Sequence, residues 1–186
     1  NVKVGDLGGY IQREKNLSHD GDAWVAENAK VFDSAQVSGD SKVCGEAEVY
    51  DRAKVSGNAW VAGNAKIWCE AEVSGNAMVW GNAQVYTNAK ISGDAEVYGN
   101  AFVWGIAQVY GNAKVSGNAE ICNTAKISEL NDFIVFKNHW SSGRHFTYTK
   151  SNKMWKVGCF YGTGQELIEE AYVDSKTSGD HYKYYV

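Results

Sequence analysis

Ala53-Lys54-Val55-Ser56-Gly57-Asn58 is followed directly by Ala59-Trp60-Val61-Ala62-Gly63-Asn64, so the unit Ala-x-Val-x-Gly-Asn repeats after six residues. Valine or isoleucine occupies every sixth position from Val25 to Ile127, and the residue two places before it is alanine except once, at Ser41. A period of six fits neither the 3.6-residue turn of a helix nor the two-residue alternation of an ordinary strand. The pattern therefore predicts short strands stacked in a β-solenoid.

A longer period of 18 residues appears at the position after each valine. Every third unit carries an aromatic residue there: Phe32, Tyr50, Trp68, Tyr86 and Trp104. Three units therefore make one coil, and the 18 units make six coils. Alternation along each strand sends alanine and valine inward and the neighbours of valine outward. With parallel strands about 4.8 Å apart, six coils form a prism roughly 29 Å long.

Each coil has three corners, and the residue two places after valine distinguishes them. This residue is glycine in two of the three registers. The third register, which follows the aromatic column, carries Asp33, Asp51, Cys69, Thr87, Gly105 and Asn123. Because glycine is the residue that a chain uses where φ is positive, the pattern predicts that one corner of three has a different backbone conformation.

Two segments, Val55-Ser56-Gly57-Asn58-Ala59 and Val73-Ser74-Gly75-Asn76-Ala77, each place a small residue four positions after an aliphatic one. In this respect the chain resembles the hexapeptide-repeat family, whose members are left-handed parallel β-helices. The left hand is implied by the resemblance, because the usual right-handed crossover rule would not suggest it.

A closer resemblance is to uncharacterised β-solenoid proteins of bacteria and their prophages. It rests on the opening segment Gly5–Tyr10 with Asn16–Ser18, and on Gly158–Phe160 with Gly162-Thr163 near the other end. The resemblance covers almost the whole chain. It implies a phage accessory protein, but it brings no established activity.

The repeat divides the chain into three parts. Residues 23–130 form the β-helix of hexapeptide repeats, and the repeat stops beyond them. Terminal coils would expose the valine column and free strand edges, so residues 1–22 are predicted to cap one end. Residues 131–186 are predicted to form a small α+β domain.

Within this domain the sequence predicts strands and one helix. The strand-like segments are 133–136, 145–148, 155–157 and 182–186. Thr163 with Glu166 three residues later is a capping-box pattern, which predicts a helix from there to about Ser175.

Composition narrows the function classes. The 186 residues carry a formal net charge of -4 with a pI of about 5.6, too mild a charge to favour a nucleic-acid partner. No segment of the sequence is apolar over the length of a membrane span, so we expect a soluble, cytoplasmic protein. The chain begins without methionine and without an apolar leader, which predicts that it starts inside a longer gene product.

The four cysteines stand at positions 44, 69, 122 and 159, and no two of them are one coil apart. A disulfide ladder or a zinc cluster on the coils would need cysteines 18 residues apart. We therefore expect free thiols in a reducing compartment, with no metal site and no cofactor.

Charged residues of the coils form columns of alternating sign. Two such columns are Lys30-Glu48-Lys66 and Lys54-Glu72-Lys90. Opposite charges about one strand spacing apart predict cross-strand ion pairs on a solvated wall.

Large aromatic side chains are concentrated on two walls, toward the third to fifth coils. We predict a partner-binding surface there, because contiguous exposed apolar residues mark interaction sites and tryptophan and tyrosine carry interface energy. Its members are Trp68, Tyr86, Trp104, Phe102, Trp80, Tyr98 and Trp60. The alternative is a ladder of rings that pack face to edge and only stabilise the stack.

The C-terminal part has a segregated charge. Between Phe133 and Gln165 the chain has no acidic residue, while basic and aromatic residues are interleaved there. Because a basic, aromatic sheet can hold a phosphate or stack a base, this segment predicts a site for a small anionic ligand. The candidates are Lys137, Arg144, His145, Lys150, Lys153 and Trp155. The alternative is that the aromatic residues form the core of the domain and the lysines surround it.

Histidine placement argues against catalysis on the coils. The four histidines all lie outside the repeats, at His19, His139, His145 and His181, so a general base is missing there and no catalytic residue is assigned. Many hexapeptide-repeat proteins are acyltransferases, so an acyltransferase acting across the subunits of a trimer is an alternative that the resemblance implies.

The sequence thus predicts a non-catalytic binding protein. The prophage resemblance implies a phage accessory protein that captures a host protein or a signalling nucleotide and so inhibits a defence system. A purely structural homo-oligomer is the third interpretation.

Overall fold

The computed structural model describes residues 7–139 and 143–186. A short strand, Tyr10–Ile11 (β1), and a 3-10 turn, Glu14–Asn16, precede the repeats. Each repeat unit then contributes one two-residue strand, and these strands are β2 (Trp24–Val25), β3 (Lys30–Val31), β4 (Gln36–Val37), β5 (Lys42–Val43), β6 (Glu48–Val49), β7 (Lys54–Val55), β8 (Trp60–Val61), β9 (Lys66–Ile67), β10 (Glu72–Val73), β11 (Met78–Val79), β12 (Gln84–Val85), β13 (Lys90–Ile91), β14 (Glu96–Val97), β15 (Phe102–Val103), β16 (Gln108–Val109), β17 (Lys114–Val115), β18 (Glu120–Ile121) and β19 (Lys126–Ile127).

The strands form three parallel sheets, which are the walls of the solenoid. We call them the aromatic wall (β1-β3-β6-β9-β12-β15-β18), the serine wall (β4-β7-β10-β13-β16-β19) and the tryptophan wall (β2-β5-β8-β11-β14-β17). Residues 18 apart lie side by side, as Lys30 does with Glu48. The predicted parallel β-solenoid of 18-residue coils is therefore confirmed. Because β1 pairs with β3, the N-terminal segment adds a further turn to the six that were predicted.

The interior is the predicted column of valine and alanine. Inward residues such as Val49 and Ala47 are 0% exposed. Valine and isoleucine are stiff at χ1 and suit a pleated stack of this kind. Ser41 replaces alanine once, and its hydroxyl donates to the Ser38 carbonyl at 2.8 Å, which satisfies the polar group inside the core.

The corners correct one prediction, because the third corner does not differ in backbone conformation. Its non-glycine residues all have φ between 53° and 60°: Asp33, Asp51, Cys69, Thr87 and Asn123. Gly57, in one of the glycine corners, has a φ of 68° in the same left-handed region. The coil geometry fixes this conformation at every corner. The glycine corners are also close to the next coil, since a β-carbon on Gly57 would lie 3.0 Å from the Gly75 nitrogen.

A four-stranded antiparallel sheet, the C-terminal sheet, follows the 3-10 turn Leu130–Asp132. Its strands, in spatial order, are β20 (Phe133–Lys137), β21 (His145–Thr149), β22 (Met154–Val157) and β23 (Phe160–Gly162). The first three coincide with predicted strands. Sequence reasoning missed β23, because a strand of three residues is too short to show an alternating pattern.

Two helices complete the chain, α1 (Gly164–Asp174) and α2 (Lys176–Tyr185). The predicted capping box is confirmed, since the Thr163 hydroxyl accepts from the Glu166 N–H and the Glu166 carboxylate accepts from the Thr163 N–H at 2.7 Å. The strand predicted at 182–186 is wrong. Tyr182 lies in α2 and packs on Phe146, with ring centroids 5.0 Å apart, so tertiary packing overrides the strand preference of this segment. Neither helix of the described ranges has the length and apolarity of a membrane span.

The C-terminal sheet lies between the solenoid and the two helices. On one face, Phe133 and Val135 pack against the valine core of the coils. On the other face, Phe146 and Trp155 pack with Leu167 of α1. The sheet therefore closes the C-terminal end of the solenoid and also supplies one side of a second, smaller core.

Candidate functional site

The aromatic column runs along the edge where the aromatic wall turns into the serine wall. Its rings stack nearly parallel: Trp68 and Tyr86 have planes 6° apart and centroids 4.4 Å apart, and Tyr86 and Trp104 follow at 5° and 5.7 Å. The expected face-to-edge packing is therefore wrong, because the 18-residue register places equivalent side chains above one another. The rings half-bury each other, and this burial raises the pKa of Tyr86. Part of the column's role is to stabilise the stack.

The tryptophan wall carries the second part of the predicted surface. Trp80 and Tyr98 stack with centroids 4.5 Å apart and planes 2° apart. Trp60 is 42% exposed and donates its indole N–H to the Cys44 sulfur at 3.1 Å. Met78 lies beside Trp60 in the neighbouring strand. We call the flat apolar surface of Trp60, Met78, Trp80 and Tyr98 the tryptophan patch.

Phe102 lies between these two groups. It belongs to β15 of the aromatic wall, two residues before Trp104, at the side of the strand that follows the corner from the tryptophan wall. The seven predicted residues are thus distributed among the column (Trp68, Tyr86, Trp104), the tryptophan patch (Trp60, Trp80, Tyr98) and Phe102.

Lys156 of β22 closes the C-terminal end of the aromatic column. Its Nζ lies 5.7 Å from the ring centroid of Trp104 and 3.4 Å from the Glu120 carboxylate, and it donates to the Gly158 carbonyl. Cys122 follows Trp104 in the column, and burial raises the pKa of its thiol to about 12. This thiol is therefore uncharged at neutral pH and is not a nucleophile.

The six residues predicted to hold an anionic ligand do not form one site. Trp155 is 8% exposed and packs in the core of the C-terminal domain. Lys150 and Lys153 lie in the turn between β21 and β22. The other end of β21, about 13 Å away for a strand of this length, holds Lys137, Arg144 and His145.

A cleft of about 260 Å³, the junction cleft, lies between the coils and this end of the C-terminal sheet. Phe102, Asn100 and Asn118 line it from the coils, and Arg144 and His145 line it from the sheet. The Asn118 amide nitrogen lies 3.2 Å from His145 Nε2, within hydrogen-bonding distance. One member of the predicted partner-binding set thus meets two members of the predicted anion-binding set.

Sequence reasoning missed the residues that join the two parts of the molecule. Asparagine side chains 18 residues apart donate each to the next in a ladder that runs through Asn64, Asn82, Asn100 and Asn118 to His145. The signal was an asparagine column with the period of the coil. The contact of Glu120 with Lys156 had no such signal, because no repeat relates these residues.

The predicted charge column Lys30-Glu48-Lys66 is confirmed, whereas in the column Lys54-Glu72-Lys90, which the structure describes in full, only Lys90 forms an ion pair with Glu72. Glu48 lies 3.3 Å from Lys30 and 2.9 Å from Lys66, and Glu72 lies 3.0 Å from Lys90. The hydrogen bond from Lys66 lowers the pKa of the Glu48 carboxyl group. These pairs are partly exposed, so they stabilise the wall only slightly.

The sequence predicts free cysteine thiols and no metal site, and the described side chains bear on both predictions. Within residues 7–139 and 143–186, no group of three or more histidine, cysteine or acidic side chains is placed to hold a metal ion. Cys44, Cys69, Cys122 and Cys159, all in the described ranges, have free thiols.

The parallel walls and the 18-residue period define the class of this molecule, a repeat-based parallel β-helix protein. Within that class, the family model described as YdcK Beta solenoid repeat matches residues 107–123, a segment that contains β16, β17 and β18. No curated protein and no solved structure matches the chain.

Proposed function

We propose that the protein is a non-catalytic binding protein that holds a partner protein on the tryptophan patch and the adjoining aromatic column. The exposure of Trp60 carries this proposal. This residue is 42% exposed on the tryptophan wall. Among the described residues no aromatic ring stacks on Trp60, so its exposure is not explained by ladder stabilisation, which accounts for Trp80 and Tyr98.

The wall presents these side chains on a rigid backbone. The backbone N–H of Trp60 donates to the Ala77 carbonyl at 2.9 Å, and equivalent backbone bonds join the neighbouring strands of the wall. A partner that binds such a surface does not have to order a loop, so little conformational entropy is lost. Tryptophan and tyrosine side chains on a preorganised surface are typical of interface hot spots.

Charged residues border the tryptophan patch at both ends. Lys42 precedes Trp60 in its column, and Glu96 and Lys114 follow Met78. This arrangement supports a partner surface that is apolar at its centre and charged at its rim. The partner that we propose is a host protein in the cytoplasm, whose capture by a phage accessory protein inhibits a defence system. The resemblance to prophage β-solenoid proteins supports this identity.

The test is capture from host lysate with tagged wild-type protein and a Trp60→Ser, Trp80→Ser variant, read by mass spectrometry. The matched control is Tyr110→Ser, because Tyr110 is 39% exposed on the serine wall, close to the exposure of Trp60. We expect one partner to be lost from the double variant and kept by the control, with circular dichroism showing folded protein for both. An identical partner set for all three proteins would exclude the tryptophan patch.

A second function is supported by the junction cleft, where Phe102, Arg144 and His145 converge. A guanidinium beside a ring and two amides suits a small anionic ligand with a planar ring, such as a signalling nucleotide. Titration calorimetry with cyclic dinucleotides and nucleoside monophosphates tests this function. Arg144→Gln should abolish the heat of binding, and Lys150→Gln at the far end of β21 should not. If the wild-type protein gives no heat of binding with these compounds, nucleotide binding in the junction cleft is excluded.

The remaining two interpretations have separate tests. An acyltransferase would bind acetyl coenzyme A. If calorimetry shows no heat of binding with that compound, the acyltransferase interpretation is excluded. A structural homo-oligomer would show self-association in sedimentation, and the Trp60→Ser, Trp80→Ser variant would weaken it without any partner present.

A further inference from the structure

The residues that flank each inward valine donate their backbone N–H groups in one direction along the solenoid. These N–H groups bond to carbonyls of the following coil, as Lys54 does to Ala71 at 2.9 Å and Ser56 does to Val73 at 2.9 Å. The last coil has no following coil, so its N–H groups are donors that need another acceptor.

Two of the three walls find such acceptors in the C-terminal part of the chain. On the aromatic wall, the Glu120 N–H donates to the Thr147 hydroxyl at 3.0 Å. On the serine wall, the Lys126 N–H donates to the Ser151 hydroxyl at 2.8 Å. Each of these wall ends is therefore contacted by a side chain of the C-terminal sheet or its turn, which accepts from a backbone N–H group.

The tryptophan wall ends differently. Its last strand, β17, has the N–H groups of Lys114 and Ser116 on its outer edge, and neither meets an acceptor within the described residues. The corner beside it is open, because a β-carbon on Gly117 would have nothing within 4 Å. At Gly57, by contrast, the next coil is 3.0 Å away. With respect to residues 7–139 and 143–186, the edge of β17 is thus open and has two unused donors.

The chain itself shows what such an edge binds. Residues 53–58 and 113–118 have the same sequence, Ala-Lys-Val-Ser-Gly-Asn. In the first copy, the edge is covered by residues 71–76, Ala-Glu-Val-Ser-Gly-Asn, with Glu72 directly beside Lys54. In the second copy, none of the residues that the structure describes covers the same edge.

We propose that the edge of β17 binds an extended segment of the partner protein, which adds a parallel strand to the tryptophan wall and places an acidic residue beside Lys114. This inference rests on the proposed function, because the same partner contacts the tryptophan patch further along the same wall. Two backbone hydrogen bonds supply affinity in this mode of recognition, and the side chains beside them supply specificity. Lys114 already pairs with Glu96 at 2.8 Å, so an acid on its other side completes a column like those of the other walls.

The first experiment uses hydrogen exchange of the free protein, measured by NMR. Because the two hexads are identical, the intrinsic exchange rates of their amides match. The amides of Lys114 and Ser116 should exchange at least about 100-fold faster than those of Lys54 and Ser56. Equal protection at both places would mean that the β17 edge is already occupied, and the proposal would fail.

The second experiment adds a probe to the labelled protein. The probe is a blocked peptide, Ala-Glu-Val-Ser-Gly-Asn, and its control is the same peptide with lysine in place of glutamate. We expect the acidic peptide at millimolar concentration to shift the Lys114 and Ser116 amide signals and the control peptide to shift them much less. No shift at these two amides, or equal shifts with both peptides, would overturn the proposal.

The third experiment separates this inference from the proposed function. Lys114→Glu should weaken retention of the lysate partner by about fivefold or more, the size expected for reversal of one close charge pair. The matched control is Lys90→Glu, since Lys90 makes a similar ion pair with Glu72 on the serine wall. If Lys114→Glu has no effect while Trp60→Ser, Trp80→Ser loses the partner, the edge proposal fails and the proposed function stands. If both variants keep the partner, the edge proposal and the proposed function both fail.

Discussion

The two ends of the solenoid are closed in different ways. At the N-terminal end the first coil exposes carbonyl groups, and the chain that precedes it supplies the donors: the N–H groups of Gly9, Tyr10, Gln12 and Ser18 bond to coil carbonyls at 2.8 to 3.0 Å. At the C-terminal end the last coil exposes N–H groups, and side chains such as Thr147 accept from them.

The difference follows from the polarity of a parallel stack. A preceding segment that runs along the coil can continue the ladder with its own backbone, as β1 does beside β3. At the other end, the chain leaves the coil and returns as an antiparallel sheet, so hydroxyl and carboxylate oxygens of this sheet and its adjoining turns accept from the coil N–H groups. We therefore expect a substitution that removes a closing hydrogen bond at the N-terminal end to unfold one coil locally. At the C-terminal end, we expect such a substitution to loosen the contact between the last coil and the C-terminal domain.

The largest effect should come from Asn16, whose side chain donates to coil carbonyls at the N-terminal end. Asn16 is 0% exposed, and its amide donates to the Ala35 carbonyl at 2.8 Å and to the Asp33 carbonyl at 3.3 Å. Asn16→Ala leaves these buried acceptors without a donor, so we expect a loss of about 2 to 3 kcal/mol in the free energy of unfolding.

Urea denaturation measures this loss, and hydrogen exchange locates it in the first coil. The control is Asn88→Ala, because Asn88 is an exposed corner asparagine. A loss no greater than that of the control would show that the backbone of the preceding segment closes this end without Asn16.

At the C-terminal end, Thr147→Val tests closure by a side chain. Thr147 is 1% exposed, and its hydroxyl is the acceptor for the Glu120 N–H. The isosteric change removes that acceptor, so we expect a loss of about 1 to 2 kcal/mol and faster exchange in β18. Exchange in the first coil should be unchanged. Thr177→Val, an exposed position in α2, is the control. Faster exchange at both ends would contradict the independence of the two closures.

A smaller effect should follow from Asp132, which accepts from the Ser128 N–H at 2.7 Å, the Ser128 hydroxyl at 2.8 Å and the Glu129 N–H at 3.0 Å. The bond from the Ser128 backbone holds the pKa of this carboxyl below its usual value. The unfolded chain binds the proton more readily, so stability from Asp132 is full above the unfolded pKa of about 3.9 and is lost as the pH falls through the folded pKa.

Asp132→Asn should therefore flatten the fall in stability below about pH 4, the unfolded range of an aspartate. Urea midpoints across pH 3 to 7 measure it, with Asp174→Asn, an exposed carboxyl group, as the control. A profile parallel to that of the wild type would show that Asp132 does not contribute to the C-terminal closure.

These contacts also show where sequence reasoning succeeds. A residue such as Val49 is predictable because its neighbours on both sides are copies of itself, so the period alone gives the strand, the register and the direction of the side chain. Asn118 is only half predictable: its column is visible in the sequence, but the histidine at its end is not. Thr147 and Lys156 meet Glu120 because the non-repeating C-terminal sheet docks on the last coil, and no spacing in the sequence encodes that contact.

The same limit applies to the candidate site. The residues of the tryptophan patch and the column could be assigned to walls by counting, whereas the junction cleft could not, since it depends on the side chains of Arg144 and His145 meeting Phe102 across two parts of the chain. Tyr182 was misassigned for a related reason, because its helix is stabilised by Phe146 rather than by local preference.

The corners give the smallest predicted effect, and the sign of that effect is informative. Thr87 lies midway between the two ends of the solenoid. Its φ is 60°, which is unfavourable for a β-branched residue. Thr87→Gly relieves this strain but increases the entropy of the unfolded chain, and we expect a net gain of about 0.5 to 1 kcal/mol. Asn88→Gly, one residue later and outside the left-handed region, should lower stability instead. If both changes lower stability by the same amount in urea denaturation, the coil tolerates threonine at this corner without strain. If only Thr87→Gly raises it, the stacked coils impose the corner conformation on whatever residue occupies it, and exchange at neither closed end should respond.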